Sequence, residues 1–121
     1  MSIDLALQDL CTVADAIAAG KTTSVQATEA CLARIEAWQP RTNAFIRVKK
    51  DQALAQARAM DKEMAAGKRR SLLHGVPMAH KDMYYRTGEV STGGSAIRRN
   101  WTAPKTATVL ERLDAAGVVE L

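Results

Sequence analysis

Lys81 follows the apolar run Val76-Pro77-Met78-Ala79 and stands between His80 and Asp82. That patterning belongs to a protein interior, where desolvation penalises an ammonium and favours its neutral form. A lysine held there is a candidate general base. A structural lysine paired with Asp82 or another acid fits the same pattern, because ion-pair networks perturb proton affinity as active sites do. A base also needs a nucleophile or an acidic proton to act on, and no convincing partner follows before Leu121.

The elements that position Lys81 must come from a short chain, since 121 residues allow one domain, or part of one, with a modest core. Apolar residues at 47% and charged residues at 25% describe an ordinary globular composition. The net charge is +4, but the basic residues are scattered apart from Lys68-Arg69-Arg70 and Arg98-Arg99. Without aromatic interleaving or a reader motif, these clusters read as solvated loop charge, and nucleic acid is not expected as a partner. Cys11 and Cys31 have no metal-ligand spacing and sit in apolar-periodic stretches, so both are expected to be reduced and packed. No metal or cofactor is expected. The start, Met1-Ser2-Ile3-Asp4, carries no basic n-region, and no apolar run approaches the roughly 18 residues of a membrane span. A cytoplasmic protein is the expectation.

Leu7, Leu10, Cys11, Ala14 and Ile17 predict a first helix from Ile3 to Ala19, stopped by Gly20. Thr23 and Gln26 match a capping box for a second helix, with Val25, Thr28, Leu32 and Ile35 on one face and an end near Pro40. The short link Gly20-Lys21-Thr22 favours an antiparallel pair. Residues 43–48 read as a strand buried on both sides. Asp51 is the expected cap of a third helix through Ala66, lined by Ala53, Ala57, Met60 and Met64 and ended by Gly67. After a basic loop, Leu72 to Met83 becomes strand-like and carries Lys81. Thr87-Gly88 and Ser91-Thr92-Gly93-Gly94-Ser95 form turns. A fourth helix, Ala107 to Ala116 with Val109, Leu113 and Ala116 inward, leads through Gly117 into a strand from Val118. A helix leading into a strand is half of a β-α-β unit, which needs strand neighbours to satisfy its backbone.

The succession Leu73-His74-Gly75-Val76-Pro77, Lys81-Asp82, Gly88, Ser91-Thr92-Gly93-Gly94-Ser95, Pro104 and Ala115-Ala116-Gly117-Val118 resembles the beginning of the amidase signature family. Thr23-Ser24, Leu32-Ala33-Arg34-Ile35 and Asn43-Ala44-Phe45 follow the family's order upstream, so the resemblance runs from about Leu5 to Leu121. It implies an α/β fold, a mixed sheet covered by helices, incomplete in this chain. Residues 1–70 would be its mainly helical outer part, and residues 71–121 the lysine strand, the Gly/Ser loop, a helix and the start of the next strand.

The resemblance also implies hydrolysis of a small-molecule amide by a Ser-cisSer-Lys triad, with Lys81 as the catalytic lysine. Its role would be to activate the nucleophilic serine through the bridging serine and then protonate the leaving amine. Both serines lie, in the family, beyond the equivalent of Leu121, so the chain alone is expected to be inactive and to need the C-terminal remainder of its domain. Ser91 and Ser95 read as loop serines, lacking the strand-to-turn setting and oxyanion donors of acyl transfer.

His80 stands where the family commonly has a small or branched apolar residue, and as a neighbour of Lys81 in a strand it should face the other way, packed or at the surface. His74 reads as a loop residue. Met83 stands where asparagine is frequent, which weighs against the tRNA-dependent amidotransferase branch, although one position does not decide between branches. A subunit of such an amidotransferase, a basic binding module and a non-catalytic scaffold are the alternatives, and a homodimer is compatible with any of them.

Overall fold

The Asp9 carboxylate accepts hydrogen bonds from the Thr12 amide at 2.8 Å and the Thr12 hydroxyl at 2.9 Å, and this cap begins α1, Leu10–Ala18. The computed structural model describes residues 4–121. The single helix expected from Ile3 to Ala19 is therefore divided: a 3-10 turn, Leu5–Leu7, precedes α1, and the backbone at Gln8 and Asp9 is extended between them. Aspartate favours this outcome because its side chain satisfies an orphan amide only from outside the helix. Ile3 lies outside the described residues. Val13, Ala14 and Ile17 of α1 are buried in one apolar cluster with Ala27 and Val76. Cys11 is exposed rather than packed, whereas Cys31 is half-buried; both thiols are free.

The capping box is present as expected: the Gln26 amide donates to Thr23 Oγ1 and the Thr23 amide to Gln26 Oε1, each at 3.1 Å, starting α2, Ser24–Thr42. Pro40 lies inside the last turn instead of ending the helix. The ladder closes past it when the Asn43 amide donates to the Gln39 carbonyl at 2.8 Å, with Asn43 left-handed at φ 46°. Asparagine tolerates that conformation better than most residues.

The strand expected over residues 43–48 is absent, and Ile46 is 71% exposed rather than buried. Gln39 supplies the physical reason. Its side-chain amide donates to the Phe45 carbonyl at 2.7 Å and accepts from the Phe45 amide at 3.0 Å, occupying the groups a strand neighbour would have paired.

The next helix, α3, Lys50–Ala65, has no side-chain cap, and Asp51 sits in its first turn rather than before it. Ala53, Ala57 and Met60 form a second buried cluster with Val119. Small side chains let α3 lie close to α2, against which it packs. Asp61 of α3 also accepts hydrogen bonds from the Ser24 and Val25 amides, at 2.7 and 3.1 Å, so one helix caps the other across the interface. The main packing partner of α2 is thus α3, rather than α1 as the short connection suggested.

The strand-like stretch Leu72–Met83 contracts to β1, Pro77–Met78, because the residues before it form turns. It pairs in parallel with β2, Val119–Glu120, in a register that sets Pro77 opposite Val119 and Met78 opposite Glu120. Between them runs α4, Thr108–Ala116, ended by Gly117 at φ 86°. The β-α-β connection is therefore formed as expected, but the buried face of α4 is centred on Leu110, with Val109 43% exposed.

His74 lies in the turn before β1, as expected of a loop residue, but that turn is packed into the core. His74 is 2% exposed, with Nε2 at 2.9 Å from the Met60 carbonyl and Nδ1 accepting from the Arg70 amide at 3.2 Å.

Candidate functional site

β1 delivers the chain into residues 79–83, which form one wall of an open cavity of about 760 Å³. Phe45, Ile46, Arg47 and Lys49 line a second wall from the segment before α3. Thr92, Gly93 and Gly94 line a third, and Glu120 and Leu121 contribute from β2. The cavity thus gathers the lysine segment, the Gly/Ser loop and the end of β2 around apolar side chains. Such a mixture of apolar wall and convergent polar groups suits a small organic ligand.

Lys81 lines this cavity, just beyond β1 rather than within a strand, and it is exposed. The burial expected from its flanking apolar run is not present. That run is buried at Val76, but the cover ends before Ala79, because β1 has only β2 beside it among the described residues. Lys81 forms no ion pair among the described residues.

Asp82 is not the partner of Lys81. Its Oδ2 accepts from the Thr92 hydroxyl at 2.6 Å, the Thr92 amide at 2.9 Å and the Gly93 amide at 3.2 Å. Burial pushes the Asp82 carboxyl up, and the bonds from Thr92 and Gly93 outweigh it, holding the group below the usual carboxylate range. The Lys-Asp pair therefore splits its work: Asp82 shapes the glycine loop while Lys81 stays available to the cavity. Ser91 is buried, with its hydroxyl donating to the Asp82 carbonyl, and Ser95 is an exposed loop residue.

A charged cluster that the sequence reading missed closes one end of the cavity. Glu120 Oε1 accepts from Lys49 Nζ at 2.7 Å and lies 2.9 Å from His80 Nε2. Arg86 approaches the other oxygen at 2.6 Å, as an ion pair without the alignment of a hydrogen bond. Lys49 also reaches Glu89 at 2.7 Å, Arg47 reaches Glu89 at 3.0 Å, and Arg86 forks onto Asp114 at 2.8 and 3.1 Å. Burial drives the Glu120 carboxyl up, but the Lys49 and His80 bonds and the charges of Lys49 and Arg86 carry it below the usual range. The available signal was an acid inside Val118-Val119-Glu120-Leu121, an apolar strand where an unpaired carboxylate is costly.

Of the basic clusters, Arg70 is bound to Glu63 and to the Asp114 carbonyl. Arg98 lies over the Trp101 and Tyr85 rings at 4.1 and 5.2 Å. Both are committed within the chain. Among the described residues no group of three or more His, Cys, Asp or Glu is placed to hold a metal ion, and no helix is long and apolar enough to cross a membrane.

A family model described as Amidase matches residues 26–121. The chain is 48% identical over 109 residues to a subunit of the glutamyl-tRNA(Gln) amidotransferase of Streptomyces coelicolor, a match covering 90% of this chain and 22% of that protein. Among solved structures, the peptide amidase from Stenotrophomonas maltophilia is 32% identical with a TM-score of 0.84, over 95% of this chain and 24% of that one. A fatty acid amide hydrolase, 22% identical with a TM-score of 0.89 over 99% of this chain and 22% of its own, shares the fold. The chain spans about a fifth of the length of the curated relatives it matches.

Proposed function

We propose, from the premise that this chain belongs to the amidase signature family, that Lys81 is the general base of an enzyme cleaving carboxylic amides through an acyl-serine intermediate. The observation that carries the reading is the placement of Lys81 on the cavity wall, just beyond β1, with no ion-pair partner among the described residues. A lysine committed to a carboxylate would resist deprotonation, whereas this one is held by neither Asp82 nor Glu120. Its ammonium must still be desolvated to release a proton. The reading therefore needs the cavity to be covered, by substrate or by further protein, at the moment of reaction.

In this scheme neutral Lys81 accepts a proton relayed through a bridging serine from the nucleophilic serine, whose oxygen attacks the amide carbon. The proton returns to the departing amine as the C–N bond breaks, and water then releases the acid. Neither serine is assigned within these 121 residues. Ser91 is tied to Asp82, and nothing in the setting of Ser95 activates it. In this reading the chain supplies the base and the loop that shapes the site.

A second reading concerns the acceptor. The 48% identity to a protein named as an amidotransferase component favours transfer of ammonia from an amide donor such as glutamine, against the weight of Met83. The chemistry at Lys81 is the same in both.

Steady-state assays of the complete gene product on simple amides and on glutamine, with and without tRNA and a partner protein, test both. Hydrolysis that is lost in Lys81→Ala supports the amidase, and glutaminase activity dependent on tRNA and partner supports the transfer reaction. Full turnover by Lys81→Ala would overturn both readings.

A further inference from the structure

The geometry assigns His80 a positioning role: we propose that its doubly protonated ring clamps the turn that presents Lys81 to the cavity. The inference rests on the reading of Lys81 as the base. The two ring nitrogens face oxygens on different parts of the chain: Nε2 lies 2.9 Å from Glu120 Oε1, and Nδ1 lies 3.1 Å from the Lys81 carbonyl. Both oxygens are acceptors. A neutral imidazole carries one N–H and makes one of these bonds at a time, whereas the imidazolium donates both.

The two ends of the clamp differ in stiffness. Glu120 is the fixed end, its side chain 9% exposed and held by Lys49, while its amide donates to Gln56 Oε1 at 3.0 Å. The Lys81 carbonyl is the soft end. It also accepts from the Tyr84 amide at 3.0 Å, and this bond closes the turn that follows Lys81. A protonated His80 thus ties β2 to that turn. An apolar side chain at this position, as the family resemblance leads one to expect, makes neither bond.

The groups facing the ring come from several elements. Glu120 on β2 favours its charge, while Lys49 from before α3 and Arg86, both on the same carboxylate, oppose it. Glu89 draws Lys49 partly away, Lys81 and Asp82 lie on the same segment, and the Tyr84 ring stands edge-on at 6.4 Å. The clamp is closed while both ring nitrogens carry protons and opens when either proton is lost.

Ring nitrogen NMR of the complete gene product, with hydrogen exchange at the Tyr84 amide corrected for intrinsic rates, tests this from about pH 5 to pH 8. Wild type should show both ring nitrogens protonated at the acid end, and Tyr84 protection falling about fivefold as the ring loses a proton, the change expected from one hydrogen bond. His80→Gln donates to Glu120 but not also to Lys81, so its Tyr84 protection should be low and independent of pH. In the complete gene product, the same variant should lower kcat about fivefold at the acid end and leave KM unchanged.

A singly protonated ring throughout, or identical Tyr84 protection in wild type and His80→Gln, overturns the clamp. An altered turn with unaltered kcat overturns its role in positioning Lys81. Neither NMR result depends on turnover, so failure of the amidase reading, seen as full activity in Lys81→Ala, is distinguishable.

Discussion

Asp82 and Thr92 are joined twice, the carboxylate accepting from the Thr92 hydroxyl at 2.6 Å and from its amide at 2.9 Å. This pair fixes the Gly93-Gly94 loop against the segment that carries Lys81. Replacing Asp82 with Ala leaves two amides and a hydroxyl short of an acceptor, and about 1–3 kcal/mol of stability should be lost. Thr92→Val removes the hydroxyl bond to Asp82 and the bond that the exposed Gly94 amide donates to that hydroxyl at 3.0 Å, and should cost about 1 kcal/mol, since water can replace the second. Chemical denaturation of both variants checks the order, and Thr92→Val as damaging as Asp82→Ala would contradict it.

Lys81→Met should separate function from stability. The side chain is exposed and makes no ion pair among the described residues, so unfolding should stay within about 0.5 kcal/mol of wild type. Amide hydrolysis by the complete gene product should fall about 10²- to 10⁴-fold, the usual contribution of a positioned acid-base group. Denaturation curves and kcat/KM measured on one preparation decide the matter.

Glu120 should make stability fall in acid. Its folded-state carboxyl is held below the usual range, so the stabilisation is fully present above the unfolded value, about 4.3, and is lost as pH falls through the folded value. Glu120→Gln should be destabilised by about 2–4 kcal/mol near neutral pH, since Lys49 loses an ionised partner. The gap from wild type should narrow below about pH 4. A gap constant from neutral pH down into acid would count against Glu120 as the responsible carboxylate.

Gly117→Ala should be far more damaging than Gly93→Ala, although both glycines have positive φ, 86° and 57°. A Cβ at Gly117 would come within 3.0 Å of His74 Nδ1 and 3.2 Å of Met60 Sδ, whereas at Gly93 nothing lies within 4 Å. Backbone strain alone costs about 1 kcal/mol at either site. The contact with the buried His74 should roughly double that loss at Gly117. Thermal unfolding of the two variants makes the comparison.

Local chemistry made much of the chain legible. The Thr23–Gln26 capping box, the glycine ends of α3 and α4, the alanine face of α3 and the turn-rich Gly/Ser loop all rest on neighbours a few residues apart, and all are present. Lys81 could also be singled out, because the motif around it is contiguous. The errors share a different origin. Residues 43–48 have strand-like composition, yet Gln39 takes the backbone groups of Phe45. His74 is a turn residue as read, yet its burial against α3 and its bond from the Arg70 amide were not foreseen.

Propensity, capping and periodicity act within a turn or two of chain, so most helices, and the choice of Lys81 as a candidate, follow from the order of residues alone. The surroundings of Lys81 follow from packing instead. Asp82, its nearest acid, turns to Thr92, and Glu120 arrives from β2 to hold Lys49 and His80. A carboxylate's partner is set by which cation or amide the packed elements bring within about 3 Å, and that distance is not encoded by separation along the chain.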